Sequence, residues 1–144
     1  MEESSMKNPN LESKRWFEQA KYDLKASHWN LKGNLFAPAC FWAQQSAEKA
    51  AKAYLYLRGE RFVIGHSVSE LLERCKNYDK DFKILIPTGA FLDRFYIPTR
   101  YPNGLPGGVP ALAYRRKDAN EAIKMAQKIL DFISSKLTMT QEMK

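Results

Sequence analysis

The stretch from Pro38 to Gly59, PACFWAQQSAEKAAKAYLYLRG, constrains the fold more than any other part of this chain. It opens on a proline and closes on a glycine, the asymmetry with which helices start and stop. Cys40, Ala43, Ala47, Ala50, Tyr54 and Leu57 recur at alternating spacings of three and four, which predicts one long helix with a packing seam. Alanines along a seam let neighbouring helices approach closely, so this is expected to be the central helix. Its other face carries Gln45, Lys49 and Lys52, with Glu48 four residues before Lys52 in the favourable order for a helical ion pair. That face is expected to meet water.

The flanking segments repeat the helical period. An earlier helix, capped by Asn10 or Ser13, shows Trp16, Ala20, Leu24, Ser27 and Leu31 on one face and Tyr22, Ala26 and Trp29 on another. Two apolar faces call for two covers, the central helix and either another helix or a second copy of the chain. Gly33 and Asn34 break this helix and turn the chain into an antiparallel hairpin. After the loop ERFVIG, Ser67 and Glu70 form a capping box for a short helix with Val68, Leu71, Leu72 and Cys75 on one side, ending near Asn77. Residues 81 to 86 look helical. Pro87 is expected to interrupt them and Thr88 to cap a continuation carrying Phe91, Leu92 and Phe95. The segment from Ile97 to Lys117 holds Pro98, Pro102, Pro106 and Pro110 with Gly104, Gly107 and Gly108, and predicts a long loop of the functional kind. A last helix from about Asp118, paired with Glu121, buries Ala119, Ala122, Ala126, Ile129 and Ile133. The fold class is therefore all-α, an antiparallel up-and-down bundle of about five helices with one long Pro/Gly-rich loop.

Length and charge narrow what such a bundle does. At 144 residues the chain suits one domain, which buries on the order of two-thirds of its unfolded surface. The expected division is a flexible tail over 1–10, one helical domain over 11–137 and a second tail over 138–144. Cys40 and Cys75 lack metal-ligand spacing and sit in amphipathic patterns, which predicts buried free thiols and a reducing, cytoplasmic setting. The first ten residues lack the pattern of a signal peptide, and no apolar run is long enough to span a membrane. Against 16 Asp and Glu stand 23 Lys and Arg, so the net charge of +7 favours an anionic partner.

Three groups of residues could carry chemistry, one of them the pair Arg61 and His66. The loop and its shoulders bring Tyr96, Arg100 and Tyr101 to one side and Tyr114, Arg115, Arg116 and Lys117 to the other. Guanidinium forks hold phosphate oxygens and tyrosine faces stack bases, so this group suits a nucleotide or single-stranded RNA. A structural corner, with Arg100 satisfying helix-end carbonyls, is the competing reading. A second group is the polar face of the central helix, Gln44, Gln45, Glu48, Lys49 and Lys52. His28 has no second ligand at metal spacing and reads as a surface or boundary residue. No metal or cofactor is expected. Neither a phosphate-cradling glycine motif nor a Ser-His-Asp or paired-carboxylate arrangement can be assembled.

The central stretch, HSVSELL at 66–72 and LDRFYIPTRYP at 92–102, in that order, resemble the HEPN domain, a family of small helical bundles. The resemblance runs from about Trp16 to Leu137. It implies the HEPN fold, commonly a homodimer, and pairing with a minimal nucleotidyltransferase in a toxin–antitoxin pair. Active HEPN ribonucleases carry an arginine followed after four to six residues by a histidine. Arg61 and His66 match that spacing, although they lie ahead of the third helix rather than near the late core helix. What the resemblance implies for them is metal-independent RNA cleavage, the histidine moving protons and the arginine holding phosphate. The favoured expectation is a nucleotide- or RNA-binding module paired with a nucleotidyltransferase. A ribonuclease using Arg61 and His66 is the alternative, and a non-catalytic interaction scaffold the third.

Overall fold

The computed structural model describes residues 8–142, and every regular element among them is helical. In chain order these are α1 (Pro9–Lys32), α2 (Phe36–Leu57), α3 (Val68–Lys76), a 3₁₀ turn (Lys80–Leu85), α4 (Ile86–Asp93), a second 3₁₀ turn (Pro102–Gly104), α5 (Pro110–Ala113) and α6 (Arg116–Glu142). The expected all-α antiparallel bundle is what forms. Helices α1, α2 and α6 pack on one another, while α3 and α4 pack together against α2.

Local chemistry explains most boundaries. Pro9 occupies the first turn of α1 and the Asn8 side chain accepts from Leu11 N at 3.1 Å. That cap starts the helix two residues before the expected domain boundary and ahead of Asn10 and Ser13, which therefore lie inside it. Residues 1–7 of the expected tail lie outside the described residues. At the other end of α1, Asn34 adopts φ 62°, while Asn34 N bonds Leu31 O at 3.0 Å and Leu35 N bonds Asn30 O at 2.8 Å. Helix α2 ends the same way, with Gly59 at φ 100° and bonds from Gly59 N to Tyr56 O and Glu60 N to Leu55 O. Both are Schellman motifs, which satisfy terminal carbonyls by one left-handed residue.

Three expectations are corrected. Pro87 does not interrupt a helix; it lies in the first turn of α4, where its missing N–H costs nothing, and Thr88 is a buried residue inside the helix rather than its cap. Asp118 is not the N-cap of α6 but sits in its first turn and accepts from Arg115 N at 2.8 Å, the reaching-back half of a capping box. The helical assignment of α6 also continues to Glu142, past the expected end at Leu137, with 143 and 144 outside the described residues. Within the Pro/Gly segment, Pro110 opens a single helical turn, α5.

The seam of α2 is buried at every predicted position. Ser27 Oγ donates to Ala39 O and Ser46 Oγ to Ala20 O, both at 2.6 Å, so the hydroxyls in the close α1–α2 contact are satisfied. Tyr54 packs on Phe82 at 4.5 Å and Phe82 on Phe132 at 5.1 Å, joining α2, the first 3₁₀ turn and α6. Of the two covers expected for α1, no other helix among the described residues supplies the second at Tyr22 and Trp29. Tyr22 and Trp29 are 66% and 62% exposed, and Lys32 lies over the Trp29 ring at 4.8 Å.

Local contacts also place the loop after α2 and the α3–α4 pair. Val63 N donates to Tyr56 Oη at 3.2 Å and Gly65 turns the chain at φ 109°, so the loop after α2 runs back along that helix. A loop from Arg58 to His66 reaches up to about 30 Å, ample for returning the roughly 20 Å between Leu57 and Gln44. Asp93, ending α4, meets the start of α3: it accepts from Val68 N at 2.5 Å and Ser69 N at 3.2 Å, and from Ser67 and Ser69 Oγ, each at 2.8 Å. Those helices touch because residue 89 is glycine, where a Cβ would lie 2.8 Å from Leu72 Cδ1 and 3.0 Å from Ser69 N.

Candidate functional site

The polar face of α2 is not the solvated surface expected of it. Glu48 is 3% and Lys52 6% exposed, and Gln44 is fully buried. Two covers remove them from water. The returning loop brings His66 over Gln44, whose Nε2 donates to the His66 carbonyl at 2.9 Å. From the other side, Trp16 stacks on Tyr56 at 5.4 Å, and Lys52 Nζ lies 5.6 Å from the Trp16 ring.

Glu48 is the centre of this face. Its Oε2 lies 3.0 Å from Lys52 Nζ and 3.2 Å from His66 Nδ1, and its Oε1 lies 3.2 Å from Gln45 Nε2 and 3.4 Å from Gln44 Nε2. A parallel pair, Lys49 Nζ on Asp23 Oδ2 at 2.5 Å, ties the face to α1. Breaking either buried pair by removing one partner strands a charge, an effect of about 3–5 kcal/mol.

Above Glu48 the aromatic groups build a shelf. The His66 ring stacks on Tyr96 with centroids 4.7 Å apart and planes 18° apart, and Tyr96 lies 6.3 Å from Phe41. The Arg100 guanidinium centres 4.6 Å from Tyr96, 4.5 Å from Phe41 and 5.0 Å from Tyr101. Its Nε donates to Tyr96 O at 2.9 Å, a main-chain carbonyl beyond the end of α4 rather than one of the helix-end carbonyls of the structural reading. Its two terminal amino groups have no hydrogen-bond partner among the described residues, and neither does His66 Nε2. The imidazole is 58% exposed. A flat aromatic surface with free guanidinium donors and an open ring nitrogen can stack a base, hold a phosphate and bond a polar hydrogen.

The structure thus joins residues that the sequence placed in three groups: His66, the polar face of α2, and the Tyr96, Arg100 and Tyr101 half of the loop. The other half lies apart. Arg116 bonds Asn34 Oδ1 and sits 5.0 Å over Phe36, anchoring the start of α6 to the α1–α2 turn. Tyr114 meets Phe95 edge-on at 5.9 Å, and its phenol pKa is raised first by burial and then by the charges of Cys40 and Asp118. Arg115 and Lys117 are exposed beside it, and Arg61 is exposed on the loop that carries His66. Sequence reasoning missed Phe41, which adjoins the seam residue Cys40, and Asp93, whose signal was an acidic residue at a helix end inside the LDRFY stretch.

Among the described residues no three His, Cys, Asp or Glu side chains converge as metal ligands. An open cavity of about 340 Å³ lined by Glu12, Arg15, Trp16, Gln19 and Lys49 adjoins the polar face. Another of about 500 Å³ lies between α1 and α6, with Phe17, Leu24 and Leu130 below Lys21, Lys25 and His28. No helix among the described residues is long and apolar enough to cross a membrane.

The chain is similar to known proteins in sequence and in fold. A family model described as HEPN domain matches residues 13–137. The Methanocaldococcus jannaschii protein named "Putative toxin MJ1304" is 28% identical over 141 residues, covering 90% of this chain and 93% of that one. The crystal structure of TT1696 from Thermus thermophilus superposes with a TM-score of 0.79 at 39% identity, covering 86% of this chain and 97% of its own. ST0689, described as an archaeal HEPN homologue, gives a TM-score of 0.72 at 35% identity over 87% and 97% of the two chains. An HEPN domain protein of Thermotoga maritima, tm0613, gives 0.68 at 29% identity over 86% and 98%.

Proposed function

The chain belongs to the HEPN domain family, and from that premise we propose that it is a nucleotide- or RNA-binding helical module of the toxin–antitoxin type, paired with a nucleotidyltransferase. The observation that carries the reading is the shelf of His66, Tyr96, Arg100 and Phe41, with guanidinium donors left open above stacked rings. The net charge of +7 supports an anionic ligand, and the name of the M. jannaschii relative supports the toxin-like role. A homodimer is part of the proposal, with the exposed Tyr22 and Trp29 of α1 as its surface.

Fluorescence anisotropy with labelled single-stranded RNA, in chelator and across a salt series, tests the binding. Tyr96→Ala removes one stacking face and is expected to weaken binding by about fivefold or more. Arg100→Ala is expected to weaken it and to flatten the salt slope by about 0.7, the share of one single-strand phosphate contact. Two variants that bind like wild type would refute the shelf.

One observation favours a second reading, a metal-independent endoribonuclease using Arg61 and His66: the exposed imidazole has a buried carboxylate 3.2 Å from its Nδ1. A base oriented by a third group is the arrangement proton transfer needs. Cleavage of the same RNA in chelator, abolished by His66→Ala, would establish this reading, and intact RNA at the end of the incubation would discard it. A non-catalytic scaffold predicts that Arg100→Ala, Tyr96→Ala and His66→Ala are all silent.

A further inference from the structure

We infer that Glu48 is a positioning residue that fixes His66 as the Nδ1–H tautomer, leaving Nε2 as a preset acceptor for a hydroxyl of the bound ligand. At the edges of the network chemistry leaves no choice. The His66 carbonyl can only accept, so the group of Gln44 that faces it at 2.9 Å is the NH₂ end. Gln44 Oε1 then accepts from Gln45 Nε2 at 2.9 Å. Gln45 Oε1 in turn faces Lys49 Nζ at 3.3 Å, and an ammonium only donates. Both amide orientations are thereby set, and both glutamines present N–H to Glu48 Oε1.

Three of the four groups around the Glu48 carboxylate are therefore donors by necessity: two amides and the Lys52 ammonium. A carboxylate ringed in this way is an acceptor at every lone pair, and the fourth neighbour, His66 Nδ1, must carry a proton to bond it. In the neutral imidazole Nε2 is then bare. The same glutamine that approaches Glu48 also holds the His66 main chain, and Tyr96 holds the ring flat. Ring plane, tautomer and backbone are all constrained before any ligand arrives, which is the preorganisation a recognition site needs.

An open acceptor at Nε2 and open donors on Arg100, both against the Tyr96 ring, complement a ligand that offers a hydroxyl together with an anion. A ribonucleotide has this pair; its deoxy counterpart lacks the 2′-hydroxyl. The ligand half of the inference rests on the shelf being a nucleotide site, whereas the tautomer is a property of the free protein.

The chain has two histidines, and the exposed His28 on α1 is an internal reference. Multiple-bond ¹H–¹⁵N spectra of the full chain, at roughly pH 8.5, two units above the usual histidine range, are expected to show His66 as Nδ1–H and His28 as the Nε2–H form that free imidazoles favour. His66 as Nε2–H would overturn the inference. Glu48→Leu with Lys52→Met removes the buried pair together, the change that buried ion pairs tolerate best. The double variant is expected to return His66 to the His28 pattern, and an unchanged tautomer in a helical variant would overturn the role of Glu48. For the ligand, oligouridylate is expected to bind wild type about two- to tenfold more tightly than oligodeoxyuridylate, the worth of one hydrogen bond. His66→Phe keeps the stack on Tyr96 but is expected to erase that preference. Equal binding of both oligomers by wild type would overturn the ligand half. Binding of neither would sink the shelf reading itself, with the spectra still deciding Glu48.

Discussion

Replacing Asp93 with alanine tests the joint between α3 and α4. The first turn of α3 has three N–H groups without an intrahelical partner. Asp93 accepts two of them, at Val68 and Ser69, and Ser67 Oγ accepts the third, at Glu70, from 3.2 Å. Deleting the carboxylate removes two capping bonds at about 1 kcal/mol each, and the favourable placement of a negative charge at a helix N-terminus adds about 0.3–1 kcal/mol. Because Asp93 is only half-buried, water can partly replace it, so the expected loss is about 2–3 kcal/mol. For a chain of this size that lowers the melting temperature by roughly 6–12 °C. Asp93→Asn, which keeps one acceptor oxygen, is expected to lose about half as much, and Ser67→Ala about 1 kcal/mol. Urea unfolding followed by far-ultraviolet circular dichroism measures all three. Asp93→Ala within about 0.5 kcal/mol of wild type would refute the reasoning, because surface substitutions with no structural role fall in that range.

Gly89→Ala is expected to destabilise by about 1–3 kcal/mol, since its Cβ would press Leu72 and the α3 backbone, while Gly107→Ala, with open space around it, is expected to be neutral or slightly stabilising in the same assay. Burial pushes the Cys40 thiol up to about 12, with the Asp118 charge adding to it, and burial raises Cys75 further, so both are expected to ignore Ellman's reagent in the native protein and react only on unfolding. Rapid native labelling would contradict this. Lys136 Nζ lies 2.8 Å from Asp79 and 2.7 Å from Asp81. Burial alone would raise the Asp79 carboxyl, but hydrogen bonds from Lys136 and Asp81 N hold it below its usual 3.8, so its stabilisation is complete above that value and disappears as pH falls through the lowered one. Stepped-pH urea titrations are expected to show Lys136→Met less stable than wild type near neutrality and the gap closing in acid; a gap unchanged at about pH 2 would rule the pair out.

The helical skeleton is legible in the sequence because its determinants are local. Asn34, Gly59 and Ser67 act on backbone groups within a few residues, through φ preference or a single capping bond, and the α2 seam needs only the helical period, whereas Asn8 and Pro9 start α1 ahead of the expected cap. Thr88 and Asp118, the expected caps, lie within the first turn of the helices that form, for the complementary reason: a proline or an acidic residue in the first turn carries nearly the same signal as a cap.

The site is only partly legible. Tyr96, Arg100 and Tyr101 are neighbours in sequence and remain so in space, whereas Tyr114 and Arg116 share their composition but pack against Phe95 and Asn34, with Arg115 and Lys117 exposed beside them. Glu48 and Lys52 look the same in sequence whether the pair is solvated or buried, because four-residue spacing encodes proximity along a helix and says nothing about what covers it. What covers it is Trp16 from α1 and a loop turned back by Gly65, and what holds His66 in place lies 18 residues earlier, at Glu48. Short-range spacing and backbone preference are enough to say which segments are helices and which faces they bury. That an ordinary helical ion pair becomes a buried carboxylate aimed at an imidazole is a tertiary fact, because burial and hydrogen-bond partnership are set by segments that meet in space after the chain has folded.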